Sequence, residues 1–173
     1  MKALAFWKAV VADEADFLGS LIAELKKLNV RFCVVGGQAV NAYVEPLVSL
    51  DLDLAVSTMQ IDDLDAQLRH RFTVERFAHS VNVSSPGSDL RVQFQTDSRY
   101  SDFVDRATVR EVLGVRLPVA ALEDVLQGKV WAALDSTRRA SKRQKDFADI
   151  ARILESQPSL RDRVPQEILS RLV

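Results

Sequence analysis

Asp51 and Asp53 are the residues whose type and spacing best suit chemistry in this chain. They lie two apart in Leu50-Asp-Leu-Asp-Leu-Ala-Val56, where Leu50, Leu52, Leu54 and Val56 alternate with Asp51, Asp53 and Ala55. A period of two is the pattern of a strand with one buried face, so both carboxylates project from the same side. Like charges so placed repel, and a shared divalent cation removes that penalty. A Mg²⁺ held there can polarise a phosphoryl oxygen and activate an attacking hydroxyl. Upstream, the apolar run Phe32–Val35 ends in Gly36-Gly37. Glycine lets backbone N–H groups approach a phosphate closely. A helix that follows offers free N–H groups and a positive dipole end to the same anion. An Asp-x-Asp pair by itself is often a solvent-facing pair at a sheet edge; the preceding Gly-Gly turn and short helix are what that simpler reading leaves unexplained.

These residues need a frame. Phe17, Leu18, Leu21, Ile22, Leu25 and Leu28 recur at helical spacing, predicting an amphipathic helix over about 10–28, ended by Asn29. Strands are expected at 31–35, 50–56, 72–77 and 90–95, and helices at 38–44 and 61–70. Ser84 to Ser88 reads as a turn. Val109 to Leu117 reads as a hairpin around Leu113-Gly114. From Ala121 the pattern is helical, over about 121–135 and 141–155, with a third helix after Pro165. The layout is α+β, without the regular βαβ alternation of a doubly wound sheet. It divides into a core, 1–118, and a helical segment, 119–173, packed on it.

The composition is that of a globular chain: 47% hydrophobic, 27% charged, net charge −1. No apolar run reaches the roughly 20 residues of a bilayer span, and acidic residues soon after the N-terminus argue against a signal peptide. One cysteine, Cys33, rules out an internal disulfide, fits a reducing cytoplasm, and is expected in the core. Charge is uneven. Residues 1–65 hold ten acidic and five basic side chains, whereas 129–145 hold six basic ones and one acidic, Asp135. An acidic front and a basic rear could jointly hold a metal and a polyphosphate, although a solvated helix face gives the same count. The basic run Arg138–Lys145 could contact nucleic-acid phosphates but lacks interleaved aromatics. His70 and His79 have no zinc or triad spacing, and no P-loop is present. Trp7 and Trp131 are expected to pack internally rather than stack on bases.

Gly36-Gly37…Asp51-Leu52-Asp53-Leu54 resembles the signature of the DNA polymerase beta-type nucleotidyltransferases. The tail, with Lys129 in Leu122–Leu134 and then Lys145-Asp146-Phe147-Ala148-Asp149, is similar to small bacterial nucleotidyltransferases that include abortive-infection toxins. The resemblance covers about 31 to 155. It implies a mixed sheet flanked by helices, a nucleoside triphosphate substrate, Mg²⁺ on Asp51 and Asp53, and a hydroxyl acceptor on RNA, protein or a small molecule. It further implies that Gly36, Gly37 and Ser49 hold the triphosphate, that Lys129 and Lys145 reach phosphates, that Asp146 completes the site, and that an antitoxin partner exists. Helical spacing puts Asp146 at the edge of the Phe147-Ile150-Leu154 stripe, facing a cleft, and Asp149 on the solvated side. Two positions depart from the family. Gln93 stands where a third carboxylate is usual, and Leu47 where many relatives carry Arg. Glutamine cannot act as a general base, so a member that binds without turnover is the alternative.

Overall fold

The computed structural model describes residues 16–57 and 60–172. In the interior of its sheet lies β1 (Phe32–Val35), whose four side chains are all buried. A continuous apolar run without alternation belongs in the middle of a sheet covered on both faces. β1 lies antiparallel to β2 (Asp51–Val56) and parallel to β7 (Val115–Val119). β2 in turn lies parallel to β5 (Arg91–Gln95). With β3 (Thr73–Arg76), β4 (Ser80–Ser84) and β6 (Thr108–Val112), the seven-stranded mixed sheet runs β3-β4-β5-β2-β1-β7-β6.

α1 (Phe17–Lys27) buries Phe17, Leu18, Leu21, Ile22 and Leu25. Asn29, at φ 53, ends it, and the amides of Asn29 and Val30 bond back to Lys26 and Leu25 carbonyls at 3.0 and 2.9 Å. This paired closure satisfies carbonyls that the helix leaves open. The part of the expected helix before residue 16, and Trp7, lie outside the described residues. α2 (Gly36–Asn41) begins on the two glycines themselves, so Gly-Gly is the helix's first turn and not only a strand stop. α3 spans Ile61–Leu68, α4 Leu122–Leu134, α5 Ala140–Ser156 and α6 Gln166–Leu169. The 3-10 stretches are Ser98–Arg106 and Pro158–Arg163. α4 and α5 pack together, and α2 touches both.

The expected hairpin is β6–β7, turned by Leu113 at φ 51 and Gly114 at φ 78, the doubly left-handed geometry that matches strand twist. β4 and the 3-10 stretch at Ser98–Arg106 were not expected. Ser80, Asn82 and Ser84 alternate with Val81 and Val83, too short a pattern beside the Ser-Ser-Pro-Gly turn to separate strand from loop. The α+β expectation holds, and no described helix is long and apolar enough to cross a membrane.

Candidate active site

β1 and β2 carry the two halves of the sequence motif to one place. In the antiparallel register Val35 faces Asp53, so the last residue before the glycine bend sits beside the second aspartate. Gly36 turns the chain at φ +66. A Cβ added there would overlap the Asp53 carboxylate, standing 2.9 Å from its Cγ and closer still to Oδ2. Glycine is therefore required twice, for the backbone angle and for the carboxylate's space. Nothing lies within 4 Å of a Cβ built on Gly37.

The approach to β2 is fixed by side chains of α2. Buried Gln38 donates to the Ser49 carbonyl at 3.0 Å. Asn41 donates to the Leu47 carbonyl at 2.6 Å and accepts from the Leu47 amide at 3.0 Å. Ser49 Oγ accepts from the Asp51 amide at 3.3 Å. Ser49 thus shapes the entry to the Asp-x-Asp strand. Leu47 is 56% exposed and serves only through its backbone.

A cleft of about 680 Å³ opens over this corner. Gly36, Asp53 and Gln93 form one part of its wall, with Lys129, Arg138 and Asp146 beside them. Arg99, Tyr100, Phe103 and Trp131 line another part. Asp53 is half-buried, and no hydrogen bond from a described residue reaches its carboxylate. Burial pushes that carboxyl up to about 6; Lys129 opposes the shift, Asp51 adds to it, and Arg138 and Lys142 oppose it. Asp51 is differently placed. It stands outside the cleft wall, accepting from Arg91 Nε at 2.8 Å and Lys142 Nζ at 3.3 Å.

Parallel pairing of β2 with β5 sets Gln93 directly beside Asp53. This is the place expected of a third carboxylate, and it carries a neutral amide. Among the described residues no group of three His, Cys, Asp or Glu side chains could hold a metal. Two carboxylates on one strand face do suit a hard divalent ion. A half-buried Asp53 that no described residue hydrogen-bonds, beside a second acid, carries a charge that such an ion would relieve. Asp53 and the Gln93 side-chain carbonyl face the cleft as oxygen donors for Mg²⁺, and Asp51 would join them by giving up its pairs with Arg91 and Lys142.

The tail residues form a buried ion-pair network. Lys129 Nζ lies 3.0 Å from Asp146 Oδ1 and 2.6 Å from Asp149 Oδ2. Arg138 Nε donates to Asp146 Oδ2 at 2.7 Å, and Arg152 donates to Asp149 at 2.8 Å. Burial alone would lower the Lys129 ammonium, but the two aspartates outweigh it and hold it above the ordinary lysine range. Asp146 faces the cleft as expected, at 1% exposure. The expectation of a solvated Asp149 is wrong: it is buried, because Lys129 reaches across from α4 to neutralise it. Lys145 is exposed and absent from the cleft wall, so the helix turns it away from the phosphate position implied by the resemblance. Gly37 is likewise not in that wall.

Sequence reasoning missed the aromatic wall. Trp131 lies parallel to Phe103 at 5.8 Å and edge-on to Tyr100 at 5.5 Å. The Arg99 guanidinium sits 4.7 Å above the Trp131 ring, held by Asp97 at 2.7 and 2.9 Å. Gly128 admits Tyr100 to α4, since a Cβ there would stand 3.2 Å from the ring. Burial pushes the Tyr100 hydroxyl up to about 12. Cys33 packs in the core as expected, its thiol also raised to about 12 by burial.

Comparison of the whole chain with solved structures now bears on this geometry. It superimposes on the antibiotic-resistance factor ANT(2'')-Ia with TM-score 0.55 and 13% identity, over 89% of this chain and 93% of that one. The lincosamide antibiotic adenylyltransferase LnuA, in its lincomycin-bound structure, gives TM-score 0.54 and 10% identity, over 83% and 99%. An antigenic nucleotidyltransferase-like protein from Paracoccidioides brasiliensis gives TM-score 0.55 and 21% identity, over 96% and 85%. The chain has the nucleotidyltransferase fold. Identities this low carry the fold and not the reaction. No protein-family model matches the sequence, and no curated protein matches it. Within that fold, the corner formed by Gly36, Asp53 and Gln93 is the one where the motif residues meet.

Proposed function

We propose that this chain is a nucleotidyltransferase that moves a nucleoside monophosphate from a nucleoside triphosphate to a hydroxyl acceptor. The observation that carries the reading is the meeting of Gly36 and Asp53 at one corner of the cleft, with Asp51 on the same strand face. Asp51 and Asp53 are the residues that would hold Mg²⁺, and the chemistry supplied by such an ion is charge neutralisation and polarisation at the phosphoryl oxygens. The chain's part is position and charge. Gly36 leaves the backbone close to the carboxylate without a side chain between them. The loop pinned by Gln38 and Asn41 fixes where the Asp-x-Asp strand begins. Lys129 and Arg138 place positive charge beside the cleft where phosphate charge must be received. Holding reactants in line in such a site supplies most of the acceleration in phosphoryl-transfer chemistry.

A small hydroxylated molecule is the acceptor class that we favour. One solved structure of ANT(2'')-Ia contains adenylyl-2''-tobramycin, and the LnuA structure contains lincomycin. The aromatic wall of the present cleft, with Trp131, Tyr100 and the Arg99–Asp97 pair, suits a ring compound bearing polar groups better than a long polymer. A toxin role with an antitoxin partner rests on the tail resemblance alone.

The test is label transfer. The protein is incubated with each α-labelled ribonucleoside triphosphate, Mg²⁺ and separate acceptor pools of RNA, cell protein and small metabolites. Label moving into one pool, and lost with Asp53→Ala, supports the reading; no transfer to any pool overturns it. A second reading, binding without turnover, is favoured by Gln93 at the third carboxylate position. It predicts triphosphate-dependent thermal stabilisation with no transfer.

A further inference from the structure

The ion-pair network behind the cleft is not balanced. Lys129, Arg138 and Arg152 face Asp146 and Asp149, three cations against two carboxylates. Within these direct pairs one positive charge is left over, in the cleft that the Asp53 carboxylate also lines, and the geometry says which residue presents it. Lys129 is 8% exposed and divides its ammonium between the two aspartates. Arg152 is turned away from the cleft wall, bonded to Asp149, to Asn41 Oδ1 at 3.0 Å and to the Glu45 carbonyl. Arg138 is different: its side chain is 37% exposed, it lines the cleft, and among the described residues its Nε alone is engaged, by Asp146. A guanidinium has five N–H donors in a planar fork, so the Nη edge remains available.

The backbone under Arg138 is also fixed. Asp135 Oδ1 accepts from the Thr137 amide at 2.9 Å and from its hydroxyl at 2.7 Å, and the Asp135 carbonyl accepts from the Arg138 amide at 3.2 Å. Asp146 then orients the guanidinium from beneath. Asp146, at 1% exposure, bonds Lys129 through one oxygen and Arg138 through the other, which places it to hold Arg138. Arg138 and Asp53 line the same cleft, which sets the guanidinium on the side of the proposed reaction centre.

We infer that Arg138, oriented by buried Asp146, receives the triphosphate chain in this cleft, in the place that the resemblance gave to Lys145. The inference rests on the nucleotidyl-transfer reading and assigns its phosphate receptor. A fixed fork that keeps its charge at every working pH and presents paired N–H groups suits phosphate oxygens better than a flexible ammonium.

Isothermal titration with ATP, GTP, CTP and UTP, and separately with inorganic tripolyphosphate, all with Mg²⁺, tests it on the full chain. The variants are Arg138→Gln, Arg138→Lys and Lys145→Gln, each checked for its melting temperature. Losing a charge-assisted contact should weaken the bound triphosphate and tripolyphosphate by about tenfold or more in Arg138→Gln. Arg138→Lys, which keeps the charge and the fold, should recover part of that loss, and Lys145→Gln should bind as wild type does. If wild type binds a nucleoside triphosphate but not tripolyphosphate, the receptor is for the nucleoside and the inference is wrong. Equal affinity of wild type and both Arg138 variants, or a larger loss in Lys145→Gln, overturns the inference while leaving nucleotidyl transfer standing. Failure of wild type to bind any of these probes overturns both.

Discussion

Replacing Asp53 with asparagine should stabilise the protein, and by an amount that depends on pH. Burial raises the Asp53 carboxyl from 3.8 to about 6 in the folded chain. Well below pH 3.8 it is protonated folded or unfolded, and no penalty exists. As pH rises from about 4 to about 6 the unfolded chain releases its proton first, so folding grows less favourable. Above that window the penalty is about 3 kcal/mol, from roughly two pH units at 1.36 kcal/mol each. About 2 kcal/mol of it accrues between pH 4.5 and 7.5, and partial solvent access makes these figures upper bounds. An asparagine side chain does not ionise, so Asp53→Asn should exceed wild type by about 1 kcal/mol at pH 4.5, where part of the penalty is already present. At pH 7.5 the margin should be wider by about 2 kcal/mol, or about 5 °C in melting temperature for a chain of this size. Urea denaturation of both proteins across that range measures the difference, in which other titrating groups cancel. Millimolar Mg²⁺ should close the gap at pH 7.5 by stabilising wild type alone. Parallel curves for the two proteins, with no pH-dependent gap, would refute the claim that the nearby cations only partly offset the burial of this carboxylate.

Three further outcomes follow from the same geometry. Gly36→Ala meets both the Asp53 carboxylate and a left-handed backbone angle, and should cost about 2 kcal/mol or more, whereas Gly37→Ala, with open space around it, should stay within about 0.5 kcal/mol in urea denaturation. Lys129→Met leaves two buried aspartates with one cation fewer and should destabilise by about 3–5 kcal/mol, measured by the same assay. Gln93→Asp places a third carboxylate beside Asp53 and should tighten Mn²⁺ binding, read by electron paramagnetic resonance of the free ion, by about tenfold; unchanged affinity would show that Gln93 does not face the metal.

Much of the site was legible because its signals are local. Alternation over 50–56 fixed which face carries Asp51 and Asp53, and a period of two leaves no choice once the leucines are buried. The glycine pair announced a sharp turn, Asn29 a helix end and Leu113-Gly114 a hairpin; that Asn29, Leu113 and Gly114 are left-handed came from the structure. Only the tertiary structure could decide which charged groups meet. Asp149 looked solvated on its own helix, because helical periodicity knows nothing of a lysine on the neighbouring one. Lys145 and Arg138 are both basic residues of one run, and only the packing of α5 on α4 turns one outward and stands the other over Asp146. Gln93 reached Asp53 through strand order, a relation between segments about forty residues apart. Backbone periodicity is set by bonded neighbours and can be read along the chain; charge pairing is set by distance in space, and it appears only when the helices and strands have packed.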